Sequence, residues 1–507
     1  MARVPGAART RQRTRIRTVL VSGAAALALA GSLTPPASSA ADGTTTVATA
    51  RVSPEAAQTI DDIGASGAWW PNDIGKFDRA AQARAARLLF GPDGLDLSAY
   101  RYNIGGGGTG VTTPERAPDD FLEADGSYDW SKDPGGRTFL RYAARYGVED
   151  LIGFVNSAPA EWKTNGKSCG GHLDSAKEKD FARYIADVVD HFAAEGAALG
   201  HISPFNEPTN SFADCGQEGM LVGVEQRDDI VRALGGELDA RGGRTGIIAD
   251  ESSSTDGFNS EVPQWLSQPG TAEFVDKLAH HTYNNPGDAS RAQVAATAKS
   301  FGKESWSSEI CCFGKGGTGW SQEYDPTIDN ALLMSRIMHK DFTVAHDSAF
   351  HWWTALSNKI GVDAESGAGS KNDQGWNDGL IYYDPDYAAN GNQKLYMTKR
   401  YYALGQYSKF VRPGAVLHDV TGAPSGVEVT AFRKDGRWSI VVNNHNSGAS
   451  ALALDLGGAR GLTAVRAVRT SATENWAGAA APSVSGGTVS ASLPARSITT
   501  YVLAERG

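Results

Sequence analysis

The sequence predicts an α/β fold in which a (β/α)8 barrel is fused to an antiparallel β-sandwich. From about residue 60 to 405, short β-like runs alternate with amphipathic helical segments, and eight strand candidates can be counted. After residue 407 the helical periodicity stops, and short alternating runs follow at close intervals, separated by Gly, Pro and Ser. Alternating helices and strands favour a parallel barrel, with a doubly wound open sheet as the alternative. Closely spaced strands favour a sandwich.

The clearest helix-then-strand unit spans residues 175–205. Ser175 and Glu178 have the spacing of a capping box, Gly196 ends the helix, and "GHISPF" follows as a strand. Five apolar residues mark one face of this helix: Phe181, Ile185, Val188, Val189 and Phe192. The other seven strand candidates are "IDDIGASGAWW", "LSAYRYNIGG", "DLIGFVNS", "TGIIADES", "HHTY", "KESWSSEI" and "SAFHWWTA".

The C-terminal region has the signature of paired strands. "GVEVTAFRKDGRWSIVVNN" contains two alternating runs around Lys434-Asp435-Gly436, which predicts a hairpin. "TTTVATARVSP", before the barrel, is also β-rich and could donate a strand to the same module. We therefore expect a barrel over 59–406 and a discontinuous sandwich built from 43–58 and 407–505.

The first 40 residues predict a secretory signal. Six arginines precede the apolar run "TVLVSGAAALALAGSL", and "ASSAAD" supplies small residues for cleavage. No two of these arginines are adjacent, which disfavours a twin-arginine route. We expect a secreted, extracellular, monomeric protein, and no later segment has the composition of a membrane span.

Charge and cysteine content exclude other classes. Removal of residues 1–40 would move the formal charge from −10 to −16, which disfavours nucleic-acid binding. The four cysteines, Cys169, Cys215, Cys311 and Cys312, allow up to two disulfides in three connectivities. Cys169–Cys215 is the simplest pair because both residues lie in predicted loops, whereas an adjacent Cys311–Cys312 bridge would be strained. No C-x-x-C pair or HExxH motif is present, so we expect neither a metal nor another cofactor.

The strand "GHISPF" ends in Asn206-Glu207-Pro208, and Pro208 cannot continue a sheet ladder. A barrel places its active site at the C-terminal ends of its strands. The polar and aromatic residues at these ends are Trp69, Trp70, Arg101, Asn156, Asn206, Glu207, Asp250, Glu251, His281, Tyr283, Glu309, Trp352 and Trp353. Paired carboxylates beside indole rings are what glycoside cleavage requires, with Glu207 and Glu309 as the catalytic pair.

Each residue also has a structural interpretation. Glu207 could be a solvated or capping residue, and Glu309 could pair with a buried arginine. Asp250 and Glu251 end the strand "TGIIADES", and the Ser-rich continuation looks like a loop, so we interpret the pair as a decoy without a catalytic role. We expect His281 to point into the site. Trp352 and Trp353 are consecutive strand residues, which predicts that one of them is a core residue.

Several motifs together resemble glycoside hydrolase family 30: "SPFNEP", "WSSEIC" with its Glu 102 residues later, "RYNIGG", "HTY" and "YYALGQYSKFVRPG". The resemblance covers residues 45–505. It implies a retaining enzyme with a barrel and a sandwich built from both chain ends, with Glu207 as acid/base and Glu309 as nucleophile. It also implies that Arg101 and Tyr283 hydrogen-bond the nucleophile, that Asn206 contacts the sugar 2-hydroxyl and that Trp353 floors the cleaved-sugar subsite.

Two features distinguish this chain from the glucosylceramidase-like branch. Asn156 stands where that branch has a tryptophan, and "YNIGGGGTG" lacks its sugar-gripping aspartate. "GASGAWW" and "NSAP" look most like bacterial and fungal β-1,6-galactanases, which implies a β-1,6-galactan substrate and makes Trp69, Trp70 and Asn156 candidates for selectivity. A β-1,6-glucanase, a xylanase or a glucosylceramidase-like hydrolase is the alternative within the family. A non-catalytic polysaccharide-binding protein is the alternative from another class.

Overall fold

The computed structural model describes residues 49–314 and 321–505. The predicted leader at 1–40 and the first part of the β-rich stretch, 43–48, lie outside the described residues. Within the described part of the chain, no helix is both long and apolar enough to cross a membrane.

Two short strands, β1 (Thr49–Val52) and β2 (Gln58–Thr59), precede eight strands that close into a parallel barrel. The barrel strands are β3 (Asp62–Ser66), β4 (Ala99–Ile104), β5 (Asp150–Val155), β6 (His201–Ser203), β7 (Gly246–Ser252), β8 (Val275–His281), β9 (Ser305–Glu309) and β10 (Ala349–Trp352). They pair in chain order, and β10 pairs with both β9 and β3. The predicted fold class is therefore confirmed.

Helices surround and extend the barrel. They are α1 (Pro71–Ile74), α2 (Arg79–Phe90), α3 (Pro134–Tyr146), α4 (Glu178–Ala194), α5 (Val224–Ala240), α6 (Thr255–Leu266), α7 (Asp288–Ser300), α8 (Ile328–Lys340), α9 (Ala364–Gly367), α10 (Tyr387–Asn390) and α11 (Lys399–Ser408). The strands are buried on both faces because helices cover the outside and side chains fill the inside. One interior layer consists of Ala99, Ile152, Ile248, Trp306 and Ala349.

The predicted apolar face of α4 is buried at all five positions. Its predicted capping box is wrong. A short 3-10 turn, Ser175–Lys177, precedes the helix, and the carboxylate of Asp174 accepts the Ala176 N–H at 3.0 Å. Glu178 instead accepts a hydrogen bond from Gln226, because the extra turn carries its side chain away from Ser175.

Thirteen further strands follow the barrel within the described residues. They are β11 (Leu356–Ser357), β12 (Ile381–Tyr382), β13 (Tyr396–Met397), β14 (Val416–His418), β15 (Val420–Thr421), β16 (Val427–Lys434), β17 (Arg437–Asn444), β18 (Ser450–Asp455), β19 (Thr463–Thr470), β20 (Ala477–Gly478), β21 (Ser483–Ser485), β22 (Thr488–Leu493) and β23 (Ser497–Ala504). The predicted hairpin joins β16 to β17, and Asp435 and Gly436 both have positive φ, as a type I′ turn requires.

β11, β12 and β13 form a separate three-stranded sheet, and the remaining strands form a sandwich with β1 and β2. A seven-stranded sheet has the order β2-β14-β16-β17-β23-β19-β20, and a five-stranded sheet has the order β15-β1-β18-β22-β21. Apolar residues from both sheets share one core, including Val52, Val429, Leu454 and Leu503. β1 thus joins the C-terminal strands, pairing with β18 and β15.

The seven-stranded sheet lies directly on the barrel. Phe432, Val441 and Ile498 belong to the same buried cluster as the barrel helices. Ser335 of α8 donates to Asn443 at 2.7 Å, so polar contacts also join the two parts. The barrel and the sandwich therefore share a continuous core.

Candidate active site

A cavity of about 350 Å³ opens at the C-terminal ends of the barrel strands. Eight of the predicted site residues line it: Trp69, Trp70, Asn156, Asn206, Glu207, Tyr283, Glu309 and Trp353. Loops after the barrel strands complete the wall, with Phe212, Gln217, Trp376 and Asp378 among the contributors. Sequence reasoning missed this second group because loop residues have no periodicity that would bring them to the site.

Glu207 and Glu309 face each other across the cavity floor. Glu309 is the last residue of β9, and Glu207 follows β6 in a backbone conformation with a φ of 46°. A non-glycine residue in the left-handed region is uncommon and is found disproportionately at functional sites. One carboxylate oxygen of Glu207 lies within 4.8 Å of one of Glu309.

Glu309 is held by two donors. The Arg101 Nη1 donates to its Oε2 at 2.9 Å, and the Tyr283 hydroxyl donates to its Oε1 at 2.9 Å. Burial raises the pKa of Glu309, His281 and Arg101 oppose that rise, and Glu207 adds to it. Burial also raises the pKa of Tyr283 well above its ordinary value, and Glu309 adds to the effect, so the phenol stays protonated and donates.

His281 lies beneath the carboxylates. Its Nδ1 is 3.2 Å from Glu207 Oε1 and 3.8 Å from Glu309 Oε1, and its Nε2 is 3.0 Å from Glu251 Oε2. Burial lowers the pKa of His281, but Glu309, Glu207 and Glu251 outweigh burial and raise it to about 10. The imidazole is therefore a cation at neutral pH.

The donor atoms of Glu207, His281 and Glu309 all lie within 4.8 Å of one another, a grouping that could in principle hold a metal ion. A metal-ligating imidazole must be neutral and offer a lone pair. Protonated His281 offers none, since each of its nitrogens faces a carboxylate oxygen. In the structure both ring nitrogens are engaged by carboxylates, Nδ1 by Glu207 and Nε2 by Glu251.

Glu251 is the residue that sequence reasoning undervalued. Asp250 and Glu251 lie at the end of β7, as the strand candidate predicted, and both are fully buried. Glu251 contacts Arg101 Nη2 at 3.1 Å as well as His281, and Ser308 donates to it. Burial acts to raise the pKa of Glu251, but Arg101 and His281 outweigh it and hold that pKa well below its usual range. Its position at a strand end was the available signal, and the following serines masked it.

Two of the strand-end residues lie below the cavity. Arg101 and His281 are fully buried below the carboxylates, and neither lines the cavity. Glu251 contacts both side chains there, and Arg101 contacts Glu309 while His281 contacts Glu207. Arg101 also lies over the Phe154 ring, 4.3 Å from its centroid.

The tryptophans divide between wall and core. Trp69 and Trp353 meet edge to face with centroids 4.9 Å apart and both line the cavity. Trp352 is a core residue, as predicted for one member of that pair. Trp70 touches the cavity but is only 2% exposed and packs on Phe139, so it belongs mainly to the core.

Polar groups on the wall remain available to a ligand. Asn206 Oδ1 and Trp69 Nε1 are buried and have no hydrogen-bond partner among the described residues. Asn156 Nδ2 donates to Asn103 Oδ1 at 3.3 Å, and Asn156 also lines the cavity. A buried polar atom without a partner is costly, and a sugar hydroxyl would satisfy it.

Both cysteine pairs are bonded. Cys169–Cys215 is present as the simplest pairing predicted, and Cys311–Cys312 is bonded as well. The adjacent bridge, which the sequence disfavoured, therefore forms, and it uses the two cysteines that follow β9.

A barrel with two facing carboxylates, one of them held by an arginine and a tyrosine, in a cavity walled by tryptophan, defines a glycoside-cleaving enzyme. The comparisons identify which kind. The family model described as O-glycosyl hydrolase family 30 matches residues 47–364. The chain belongs to that family of glycoside hydrolases.

Curated relatives include an exo-β-1,6-galactobiohydrolase of Bifidobacterium longum, 24% identical over 79% of this chain and 33% of that protein. This chain thus spans about a third of that relative's length. A glucuronoxylanase of Bacillus subtilis is 26% identical, and the match covers 67% of this chain and 69% of that protein. Among solved structures, a conserved exported protein from Bacteroides fragilis superimposes with a TM-score of 0.77, covering 90% of this chain and all of that one at 23% identity. That likeness concerns the fold alone.

Proposed function

We propose that this protein is a secreted, monomeric, retaining β-glycoside hydrolase that cleaves β-1,6-linked galactan, such as the side chains of plant arabinogalactan. The observation that carries the mechanism is the separation of Glu207 and Glu309. Carboxylate oxygens within 4.8 Å fit the roughly 5 Å spacing of retaining enzymes rather than the roughly 6.5–9.5 Å of inverting ones, which leave room for a water.

In the first step, Glu309 attacks the anomeric carbon while Glu207 gives its proton to the departing glycosidic oxygen. The C1–O bond breaks and a glycosyl–Glu309 ester forms. In the second step, Glu207 takes a proton from water, the water oxygen attacks C1, and Glu309 leaves as a carboxylate. Arg101 and Tyr283 stabilise the negative charge of Glu309 before attack and after release.

The distribution of protons supports these roles. Two cationic groups, Arg101 and His281, face three carboxyl groups, so one carboxyl proton makes the cluster neutral. Arg101 contacts Glu309 and Glu251 but not Glu207. Arg101 therefore stabilises the ionised form of Glu309, which is the form that attacks the anomeric carbon.

The substrate assignment draws on the wall and on the relatives. The name of the Bifidobacterium longum relative states an action on β-1,6-galactosides, and the segments "GASGAWW" and "NSAP" supply Trp69 and Asn156 to the wall. Galactose differs from glucose at the axial 4-hydroxyl. A site whose buried polar groups bond that hydroxyl rejects the other sugar, because those groups would be left unpaired.

The test is hydrolysis of purified β-1,6-galactan, β-1,6-glucan and glucuronoxylan under equal conditions, with the products sized by chromatography. We expect the highest kcat/KM on galactan and products that retain the β configuration by NMR. Faster release from glucan or xylan would reject the galactan assignment and leave the retaining mechanism in place. Products of inverted configuration would reject the mechanism itself.

A further inference from the structure

The bonded pair Cys311–Cys312 belongs to the cavity wall and has no role in the mechanism above. The two cysteines come two and three residues after Glu309, where the chain leaves β9. Both line the cavity, and they are 3% and 4% exposed. The small exposed area of the disulfide therefore faces the space in which a sugar would bind.

Its contacts connect three parts of the site. Cys311 Sγ lies 3.9 Å from the hydroxyl of Tyr283, which donates to Glu309. The backbone N–H of Cys312 donates to the carbonyl of Asn377 at 3.3 Å, and Asn377 lies between the cavity-lining residues Trp376 and Asp378. The disulfide thus lies between Tyr283, which donates to the nucleophile Glu309, and the loop at 376–378 that forms part of the opposite wall.

A disulfide and two thiols present different surfaces to a sugar. The bonded pair has no S–H donor and no charge, and its polarisable sulfur atoms can lie against the C–H groups of a pyranose. The bond also fixes the two side chains relative to each other, whereas free thiols rotate independently. A fixed apolar wall of this kind complements the polar atoms supplied by Asn206 and Trp69.

We propose that the Cys311–Cys312 disulfide is a specificity-determining wall of the sugar site, which contacts the apolar face of the bound pyranose. The proposal deepens the proposed function and rests on it for the identity of the sugar. It predicts that removal of the disulfide weakens substrate binding and selectivity without removing the chemistry, because Glu207, Glu309 and Arg101 remain in place.

The primary experiment compares the double variant Cys311→Ala/Cys312→Ala with the matched control Cys169→Ala/Cys215→Ala, which removes the other disulfide. On galactan we expect the first variant to raise KM about tenfold, the effect of losing a small apolar contact, while kcat changes less than about threefold. We also expect the ratio of galactan to β-1,6-glucan kcat/KM to fall. The control should lower the thermal midpoint and leave KM and the ratio unchanged.

If the disulfide were merely structural, the Cys311/Cys312 variant would have a lower thermal midpoint and a smaller active fraction, and therefore a lower kcat. Its KM and its ratio of galactan to β-1,6-glucan kcat/KM would be unchanged. That result would overturn the proposal. Should the alanine variant not fold, Cys311→Ser/Cys312→Ser tests the same point with nearly unchanged side-chain volume.

Reduction gives an independent measurement on a folded protein. In a Cys169→Ser/Cys215→Ser variant, the bond between Cys311 and Cys312 is the one disulfide that the chain can form. A dithiol reductant would be oxidised as that bond becomes two thiols, and alkylation followed by intact mass would count them. A rise in KM that follows thiol appearance supports the proposal, and unchanged KM after complete reduction contradicts it.

Failure of the disulfide proposal can be distinguished from failure of the proposed galactan substrate. If wild-type protein does not hydrolyse galactan, the proposed function fails, and the wall is then tested with whichever polymer the wild type does hydrolyse. If wild type hydrolyses galactan and the Cys311–Cys312 variants match it in KM and selectivity, the wall proposal fails alone.

Discussion

Glu251 and His281 contact each other at 3.0 Å through Oε2 and Nε2, on the side of the imidazole opposite Glu207. The same carboxylate contacts Arg101, which binds Glu309. One buried glutamate therefore orients both cations that serve the reacting carboxylates. Glu251 is a positioning residue, since it does not line the cavity. The backbone links it to the acid as well, because the Glu207 N–H donates to the Glu251 carbonyl at 3.0 Å.

Glu251→Gln should therefore impair catalysis more than binding. We expect kcat to fall by about 100-fold, as misplacement of catalytic groups commonly does, with KM changed little. Loss of the Glu251 charge also lowers the pKa of His281, so the alkaline limb of the pH–rate profile should move to lower pH. Steady-state kinetics across pH measures both effects.

The neighbouring residue provides the control. Asp250 is equally buried but bonds Arg227 and Trp265 rather than the catalytic cluster. Asp250→Asn should lower the thermal midpoint while leaving the alkaline limb in place. An equal shift of that limb in both variants would show that Glu251 acts only through general stability.

Glu309→Ala and Glu207→Ala should each remove turnover on galactan while the circular dichroism stays unchanged. Loss of general acid–base catalysis alone costs about 10²- to 10⁴-fold, and loss of the nucleophile should cost at least as much. On an activated aryl substrate, azide should rescue Glu309→Ala with a glycosyl azide of inverted configuration. It should rescue Glu207→Ala with retained configuration, because the covalent intermediate still forms. NMR of the azide products gives their configuration. If the roles of Glu207 and Glu309 were exchanged, Glu309→Ala would give the retained azide and Glu207→Ala the inverted one.

Two histidines, the buried His281 and the half-buried His201, should make the fold sensitive to alkali. Burial lowers the pKa of His281 and of His201, but neighbouring carboxylates outweigh it and raise each from 6.5 to about 10. For His201 those carboxylates are Asp150 and Asp276. A pKa raised by folding adds stability that is complete below about pH 6.5 and is lost as pH rises through about 10. Urea unfolding should accordingly give a free energy that declines across this window.

The two histidines are distinguished by their effect on activity. His201→Gln and His281→Gln should each reduce the decline in unfolding free energy between pH 6.5 and pH 10. Only His281→Gln should also move the alkaline limb of the pH–rate profile, since His201 lies at the start of β6, away from the cavity. An unfolding free energy of His281→Gln that declines as steeply as that of wild type would contradict the assigned charge of the imidazole.

The barrel and the carboxylates were predictable because each depends on a local signal. Buried strands and amphipathic helices have their own periods, and Glu207 stands where proline stops a strand. The surroundings of Glu251 were not predictable, since Arg101 and His281 approach it from strands 150 and 30 residues away. The glycine-rich segment that follows β4 is similarly anchored from a distance, because Glu218 accepts the N–H groups of Gly106 and Gly108.

The sandwich should be required for the barrel to fold. Phe432, Val441 and Ile498 fill the same core as the barrel helices, and Thr500 donates to the carbonyl of Gln406 in α11 at 2.9 Å. A fragment spanning 55–406 would expose the apolar surface beneath them, and exposed surface of that kind promotes aggregation. We expect this fragment to be insoluble or to lack a cooperative thermal transition. Phe432→Ala in the full chain should lower stability by about 3–5 kcal/mol without changing KM. A soluble fragment 55–406 with wild-type kcat on galactan would instead establish the barrel as an independent folding unit.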